Sequence, residues 1–247
     1  MAEMAQTDKS WWAKSLLVGA VIAAVLLPVG ALGTKLGIWG FQIGFLALAA
    51  STVLAVLGVL IGVIAIFVSR KRNMTNDRAS LFVGIGVSAL IIALMGMQFL
   101  QASNVPPIHN ISTDVADPPQ FSVVVALRGE GSNPLEYDSA EIGPVQQAAY
   151  PWVKTLTLAT TPGEALTQAV AALQEMGLDI VATDAAAGIV EATATTFWFG
   201  FKDDVVVRVR ASGSGSVVDV RSVSRVGVSD IGANARRIGE LLDLLQP

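Results

Sequence analysis

The sequence predicts an α+β protein in two parts: a three-helix transmembrane anchor over residues 1–103, then a soluble antiparallel-sheet domain over residues 104–247 with two helices packed on one face. Three observations lead there. Charge divides the chain, because residues 1–103 carry seven Lys/Arg and three Asp/Glu whereas residues 104–247 carry nine and seventeen, so the net −4 joins a +4 half to a −8 half. Three uncharged apolar stretches fill most of the first half. In the second half, strand-like segments follow one another through connections too short for parallel crossovers.

The chain has 247 residues, of which 53% are apolar and only 15% charged, where aqueous domains usually carry about 25% charge. It has no cysteine and one histidine. That excludes a disulfide framework, a thiolate nucleophile, a zinc ribbon, an iron–sulfur cluster and any multi-histidine metal site. No metal and no cofactor is expected.

The apolar stretches are Ser15–Gly33, Ile43–Val68 and Ala79–Leu100. Each reaches the roughly 20 residues a helix needs to cross a hydrocarbon core of about 30 Å. A buried core helix would show a polar face, and none of the three does over its full length. The first stretch has a rival reading as a cleavable signal peptide, since Lys9 and Lys14 precede it and the small run Ala31-Leu32-Gly33 ends it. Trp11, Trp12 and Trp39 flank the first hairpin, where interfacial aromatics belong. With the N-terminus in the cytoplasm, the inside segments carry Lys9, Lys14, Arg70, Lys71, Arg72 and Arg78, and the outside connection only Lys35. Positive charge staying inside puts the N-terminus in the cytoplasm and residues 101–247 outside, in a periplasm or its equivalent. The lack of cysteine fits an oxidising compartment.

The spans contain no charged residue that would mark an ion path or proton relay, and Gln42 and Gln98 lie near their ends. A channel or transporter is therefore disfavoured. Gly58 and Gly62 form a GxxxG spacing that lets helix backbones approach closely, either inside this bundle or against a partner.

Residues 101–122 read as a Pro-punctuated lead-in, with Pro106-Pro107 and Pro118-Pro119 blocking a continuous helix. Residues 128–150 read as a long surface excursion. Val153–Ala159 reads as a strand. Thr161-Pro162-Gly163-Glu164 is a helix start with a capping residue, a proline at the first position and a glutamate three residues on. Leu166, Ala169, Val170, Leu173 and Met176 supply its apolar face, and Gly177 ends it. Four strands follow, at Leu178–Thr183, Gly188–Thr196, Asp204–Ala211 and Val217–Arg225. A final helix runs from about Ile231 to Leu245, capped by Ser229 or Asp230, with Ile231, Ile238, Leu241, Leu242 and Leu245 along one side. An antiparallel sheet with both helices on one face is the economical arrangement of this order.

Separated motifs in the second half point to a family. They are Pro107-Ile108-His109-Asn110-Ile111-Ser112-Thr113-Asp114, Asp117-Pro118-Pro119, Glu191-Ala192-Thr193-Ala194-Thr195-Thr196, Phe201-Lys202-Asp203-Asp204, Val218-Asp219-Val220-Arg221-Ser222, Ser224-Arg225-Val226-Gly227 and the run from Ser229 to Ile238. In this order they strongly resemble the bacterial family of domains of unknown function numbered 1499, over about residues 104–246. The resemblance implies a domain found both alone and attached to membrane helices. It carries over no catalytic residue and does not cover the spans.

Candidate sites are few. His109, with Asp114 or Asp117 as orienting carboxylate and Ser112 or Thr113 as nucleophile, would make a hydrolase. Local proximity in a Pro-rich segment is weak support for a triad, and turn capping by these side chains is the plainer reading. No catalytic residue is assigned. Asn110-Ile111-Ser112 also matches a glycosylation acceptor. In the sheet, alternation puts Val190, Ala192, Ala194, Val205, Val207 and Val209 on the helix side and turns Glu191, Arg208 and Arg210 outward. With registers aligned, Arg208, Arg210, Arg221 and Arg225 would form a basic patch tempered by Glu191 and Asp219, able to hold a small anionic ligand. Replacing Arg221 would then weaken the anion and spare the fold. The rival is a face of cross-strand ion pairs. Between the strands Gly188–Thr196 and Asp204–Ala211, Phe197, Trp198, Phe199 and Phe201 crowd a hairpin tip. The tip either folds back onto the core or contacts lipid or another protein.

The leading expectation is a non-enzymatic, membrane-anchored extracytoplasmic interaction domain, an accessory or assembly subunit of a larger membrane complex. Its expected partners are membrane lipids and other membrane protein subunits. A binding module for an anionic lipid, glycan or metabolite on the arginine face comes second, and a hydrolase-like enzyme third. Nucleic acid is a poor partner for a domain of net −8 outside the cytoplasm.

Overall fold

The computed structural model describes residues 10–246. Lys9 and Pro247, used above in the loop charges and the domain limit, lie outside the described residues. The chain divides into two compact units, one of residues up to Leu100 together with Phe197–Gly200, the other of Gln101–Thr196 and Phe201 onward.

The first unit is built on three long helices, α1 (Trp11–Lys35), α2 (Phe41–Lys71) and α3 (Thr75–Ser103), each long and apolar enough to cross a membrane. They overrun the expected spans at both ends, because helical hydrogen bonding continues into the polar flanks while the apolar count stops at the first charge. Where α1 and α2 meet, glycines take the place of side chains: a Cβ on Gly30 would lie 2.7 Å from that of Ala47. The Ser51 hydroxyl donates to the Ala23 carbonyl oxygen at 2.6 Å, joining the same two helices. Gly58 and Gly62 face α3, where added Cβ atoms would meet Ser88 Oγ at 2.6 Å and Ile85 Cγ1 at 2.5 Å. Of the two readings of this GxxxG pair, packing within the bundle is the one the contacts contain. At the opposite end from Lys35, Asp77 accepts from the Ser10 backbone N–H at 2.8 Å and the Ser10 hydroxyl at 2.7 Å, tying the starts of α1 and α3 together.

In the second unit, strands β1 (Asn110–Ser112), β2 (Leu156–Leu158), β3 (Asp179–Asp184), β4 (Ile189–Thr195), β5 (Lys202–Ser212) and β6 (Gly215–Ser224) form one antiparallel sheet in the order β1-β6-β5-β4-β3. β2 also pairs with β6, so β1 and β2 share that strand's free edge. The expected meander is present with each strand boundary within two residues. Helix α5 (Pro162–Glu175) carries the expected capping box: Thr161 Oγ1 accepts from Glu164 N, and the Glu164 carboxylate accepts from Thr161 N. Helix α6 (Ala233–Leu245) packs beside it. Leu166, Ala169 and Leu173 of α5 and Ile238, Leu241 and Leu245 of α6 close over Val190, Ala192, Val205, Val207, Val209, Val218 and Val220. Both helices therefore cover one face, as alternation along the strands requires.

Three local expectations are corrected. The lead-in contains a strand, β1, because its short run Asn110-Ile111-Ser112 finds the edge of β6, a partner invisible to a window on the sequence. The excursion at 128–150 contains a helix, α4 (Ile142–Ala149), whose Gln146 is wholly buried. Its side-chain amide pairs with Ser112 as a neighbouring strand would, Oε1 accepting from Ser112 N at 2.9 Å and Nε2 donating to Ser112 O at 2.7 Å. Helix α6 starts two residues later than expected, at Ala233 after a left-handed Gly232. The N-cap position falls to Gly232, not to Ser229 or Asp230, and Asp230 braces the helix start from two residues before it, accepting from Gly232 N at 2.8 Å and Asn234 N at 2.7 Å.

Candidate functional site

The face of the sheet opposite the helices was expected to look outward. Instead, Glu191, Asp204, Val206, Asp219 and Arg221 on that face are all buried. The chain between β1 and α4 crosses this face, and its polar backbone must find partners there. It finds them in two buried ions. The Glu191 carboxylate, 1% exposed, accepts from the backbone N–H groups of Ser122, Val123 and Val124 at 2.8, 3.1 and 2.7 Å, at the start of a single 3-10 turn (Val124–Leu127). The Arg221 guanidinium, also 1% exposed, donates to Asn110 Oδ1 at 3.0 Å, to the Pro119 carbonyl at 3.1 Å and to the Leu135 carbonyl. The Phe121 and Tyr137 rings flank it. Burial pulls the Arg221 pKa down to about 10, opposed by Tyr137 and assisted by the nearby Arg128. The expectation that Arg221 is a replaceable surface side chain is thereby corrected.

The other arginines fall into two clusters. Asp219 sits at the centre of one, accepting from Arg208 at 3.2 Å, Arg210 at 2.6 Å, Thr155 at 2.5 Å and Thr113 at 3.3 Å. Arg208 also reaches Asp117 at 2.9 Å and Asp114 at 3.4 Å. Two arginines therefore meet three carboxylates. Arg210 is the most open of the set, its side chain 45% exposed. Asp204 centres the second cluster, where Arg225 binds its carboxylate through Nε at 3.0 Å and Nη2 at 2.8 Å, and Arg128 binds it from the other side. Thr193 donates to the same carboxylate at 3.0 Å. The structure thus brings Arg208 and Arg210 together, and holds Arg221 and Arg225 in separate environments, each already furnished with acceptors.

Asp204, Arg128 and Asn234 are not among the candidate site residues that the sequence offered. Asp204 shares strand parity with Arg208 and Arg210, which was a usable signal; Arg128 lay in the excursion and carried none. On the helix side, buried Asn234 accepts from Ser222 Oγ at 2.6 Å and donates to Ser224 Oγ and the His109 carbonyl, both at 3.0 Å. Arg237 closes this cluster on Asp203 at 2.7 Å. The His109 ring pairs with the Val228 carbonyl at 3.3 Å, while Ser112 Oγ donates to the Asp114 carbonyl and Thr113 to Asp219. The three groups proposed for a hydrolase are therefore engaged separately. Asn110, 1% exposed and bonded to Arg221 and the Glu136 carbonyl, is closed to glycosylation. Among the described residues no three His, Asp or Glu side chains converge as a metal site would require.

The aromatic tip behaves differently. Thr196 N donates to the Phe201 carbonyl and Phe201 N to Thr196 Oγ1, which closes the hairpin neck within the second unit. Phe197, Trp198, Phe199 and Gly200 belong to the helical unit. There Lys35 Nζ donates to the Phe197 carbonyl at 2.8 Å and lies 4.8 Å from the Phe197 ring centroid. The Phe199 ring packs on Phe45, centroids 5.2 Å apart. Phe197 and Trp198 stack edge to face and remain 71% and 55% exposed.

Fold and site together define a protein with three membrane-type helices and an α+β domain whose charged sheet face is spent on holding its own cover. Residues 110–245 match the family described as "Protein of unknown function (DUF1499)", and the chain belongs to that family. Comparison with curated proteins finds no match.

Proposed function

We propose that this protein is a membrane-anchored extracytoplasmic interaction domain, acting as an accessory or assembly subunit of a larger membrane complex. The observation that carries the reading is the contrast between its two kinds of surface chemistry. Apart from the half-exposed Arg210, the ions of the sheet face are bonded to one another or to the backbone that covers them, while Phe197 and Trp198 at the hairpin tip stand exposed on the helical unit. Contiguous exposed apolar groups of that kind mark contacts with protein or lipid. The loop charges support the inner-membrane placement with the second unit outside, since Lys14, Arg70, Lys71, Arg72 and Arg78 fall on one side and Lys35 alone on the other.

Cross-linking in intact membranes, followed by purification in mild detergent and mass spectrometry, tests this reading. A protein retained in fixed ratio to the chain through both steps supports it. A chain recovered alone from cross-linked membranes overturns it.

The half-exposed Arg210 favours the anion-binding module as a second reading. Titration with inorganic phosphate, followed calorimetrically, would show saturable binding lost in Arg210→Ala; absence of heat would remove this reading.

A further inference from the structure

We propose that the Phe197–Gly200 tip is a membrane-interface anchor, with Phe197 and Trp198 embedded at the headgroup boundary of the bilayer that α1 and α2 cross. The inference rests on the reading of the helical unit as a membrane anchor, and it assigns lipid as the occupant of this aromatic surface.

Depth is the first argument. α1 contains 25 residues, which at about 1.5 Å per residue gives roughly 37 Å, longer than a hydrocarbon core of about 30 Å. Its last residue, Lys35, therefore reaches the interface, and the Phe197 carbonyl is bonded to that ammonium. The Phe199 ring sits on Phe45, one turn inside α2, and its seat is cut for it: a Cβ on Gly44 would lie 2.9 Å from Phe199 Cε1. Gly200, at φ +68°, turns the chain back, and a Cβ there would meet Lys35 Cγ at 3.1 Å. The tip is thus built into the end of the helical hairpin, at the level where tryptophan, aromatic rings and lysine ammonium groups collect in membrane proteins.

Continuity is the second argument. Around the tip, Leu36, Ile38, Ile43 and Leu46 are exposed, and Val29 and Leu32 continue the same apolar character down α1. Lys35 is the one charge between Lys14 and Arg70. The aromatic pair therefore extends a surface that already belongs to lipid. A tryptophan gains there because its ring stays in the apolar boundary while its N–H stays wet.

Fluorescence quenching in the full chain tests the proposal. Two variants retain one tryptophan each, Trp198 or Trp152, the others being changed to phenylalanine. Both are reconstituted alone into phosphatidylcholine vesicles brominated either near the headgroup or near the chain end. Trp198 is expected to lose about half its emission to the shallow bromine and less to the deep one, while Trp152, in the second unit, stays unquenched. Trp198 emission no more quenched than that of Trp152 overturns the proposal, and stronger quenching by the deep bromine overturns the interfacial depth. Flotation of both variants with the vesicles scores the anchor reading separately, and the absence of other proteins keeps the subunit reading out of the result.

Discussion

Glu191 and Arg221 are the two cross-strand neighbours of Val206, one on β4 and the other on β6. Both ions are buried, yet among the described residues neither bonds to the other or to any opposite charge. Each is instead neutralised by backbone dipoles of the same covering segment, Glu191 by three N–H groups and Arg221 by two carbonyls with the Asn110 amide oxygen. A buried charge survives only when its hydrogen-bonding capacity is met. The two therefore act as opposite poles that fasten the segment over the sheet.

Arg221→Ala should be strongly destabilising, contrary to what a surface arginine would show. It orphans two buried acceptors, Asn110 Oδ1 and the Pro119 carbonyl, each costing about 1–3 kcal/mol, frees the part-buried Leu135 carbonyl, and leaves a cavity between Phe121 and Tyr137. Arg221→Lys should recover only part of the loss, because an ammonium cannot reproduce the planar fork. Thermal melting of the full chain in detergent, followed by near-ultraviolet circular dichroism, measures both. A melting curve for Arg221→Ala within error of the parent would refute the fastening role.

Glu191→Gln should cost about 1–3 kcal/mol, since one carboxylate oxygen becomes an N–H₂ group facing backbone donors. The same melting experiment should be accompanied by faster proteolysis between residues 113 and 137. Unchanged proteolysis would show that the segment does not depend on this carboxylate.

Arg210→Ala makes the contrast. Its side chain is half in water and shares Asp219 with Arg208, so the change should move stability by no more than about 0.5 kcal/mol. Chemical denaturation of the full chain in detergent reads it, and a loss several times larger would mean the Asp219 cluster depends on both arginines.

Tyr137 provides a pH signature. Burial pushes its phenol up to about 12, against the Arg221 charge, which works the other way. A phenol whose folded pKa exceeds the unfolded value of about 10 contributes stability that is complete below pH 10 and is lost as pH rises from 10 towards 12. Absorbance of tyrosinate should therefore lag behind that of the urea-unfolded chain across this window, and the lag should shrink in Tyr137→Phe.

Topology is checked by fusion. A reporter active only in the periplasm should work after Pro247 and fail after Arg72. The reverse pattern would refute the orientation drawn from loop charge.

Much of this protein is legible in local sequence. The spans follow from length and lack of charge, α5 from a capping box within four residues, and the meander from alternation with a period of two. These signals are local because helix and strand periodicities repeat within a few residues. The tertiary structure alone decided the fate of the sheet's outer face. Alternation puts Arg221 on that face, and nothing near it in the chain shows that Pro119, 102 positions away, will arrive to bury it. Likewise Glu191 meets Val124 across 67 positions. Composition told of arginines and carboxylates in nearly balanced strands; whether they bind a ligand, each other or the backbone depends on which distant segment pays the entropy of closing over them, and that is settled only when the whole chain has folded.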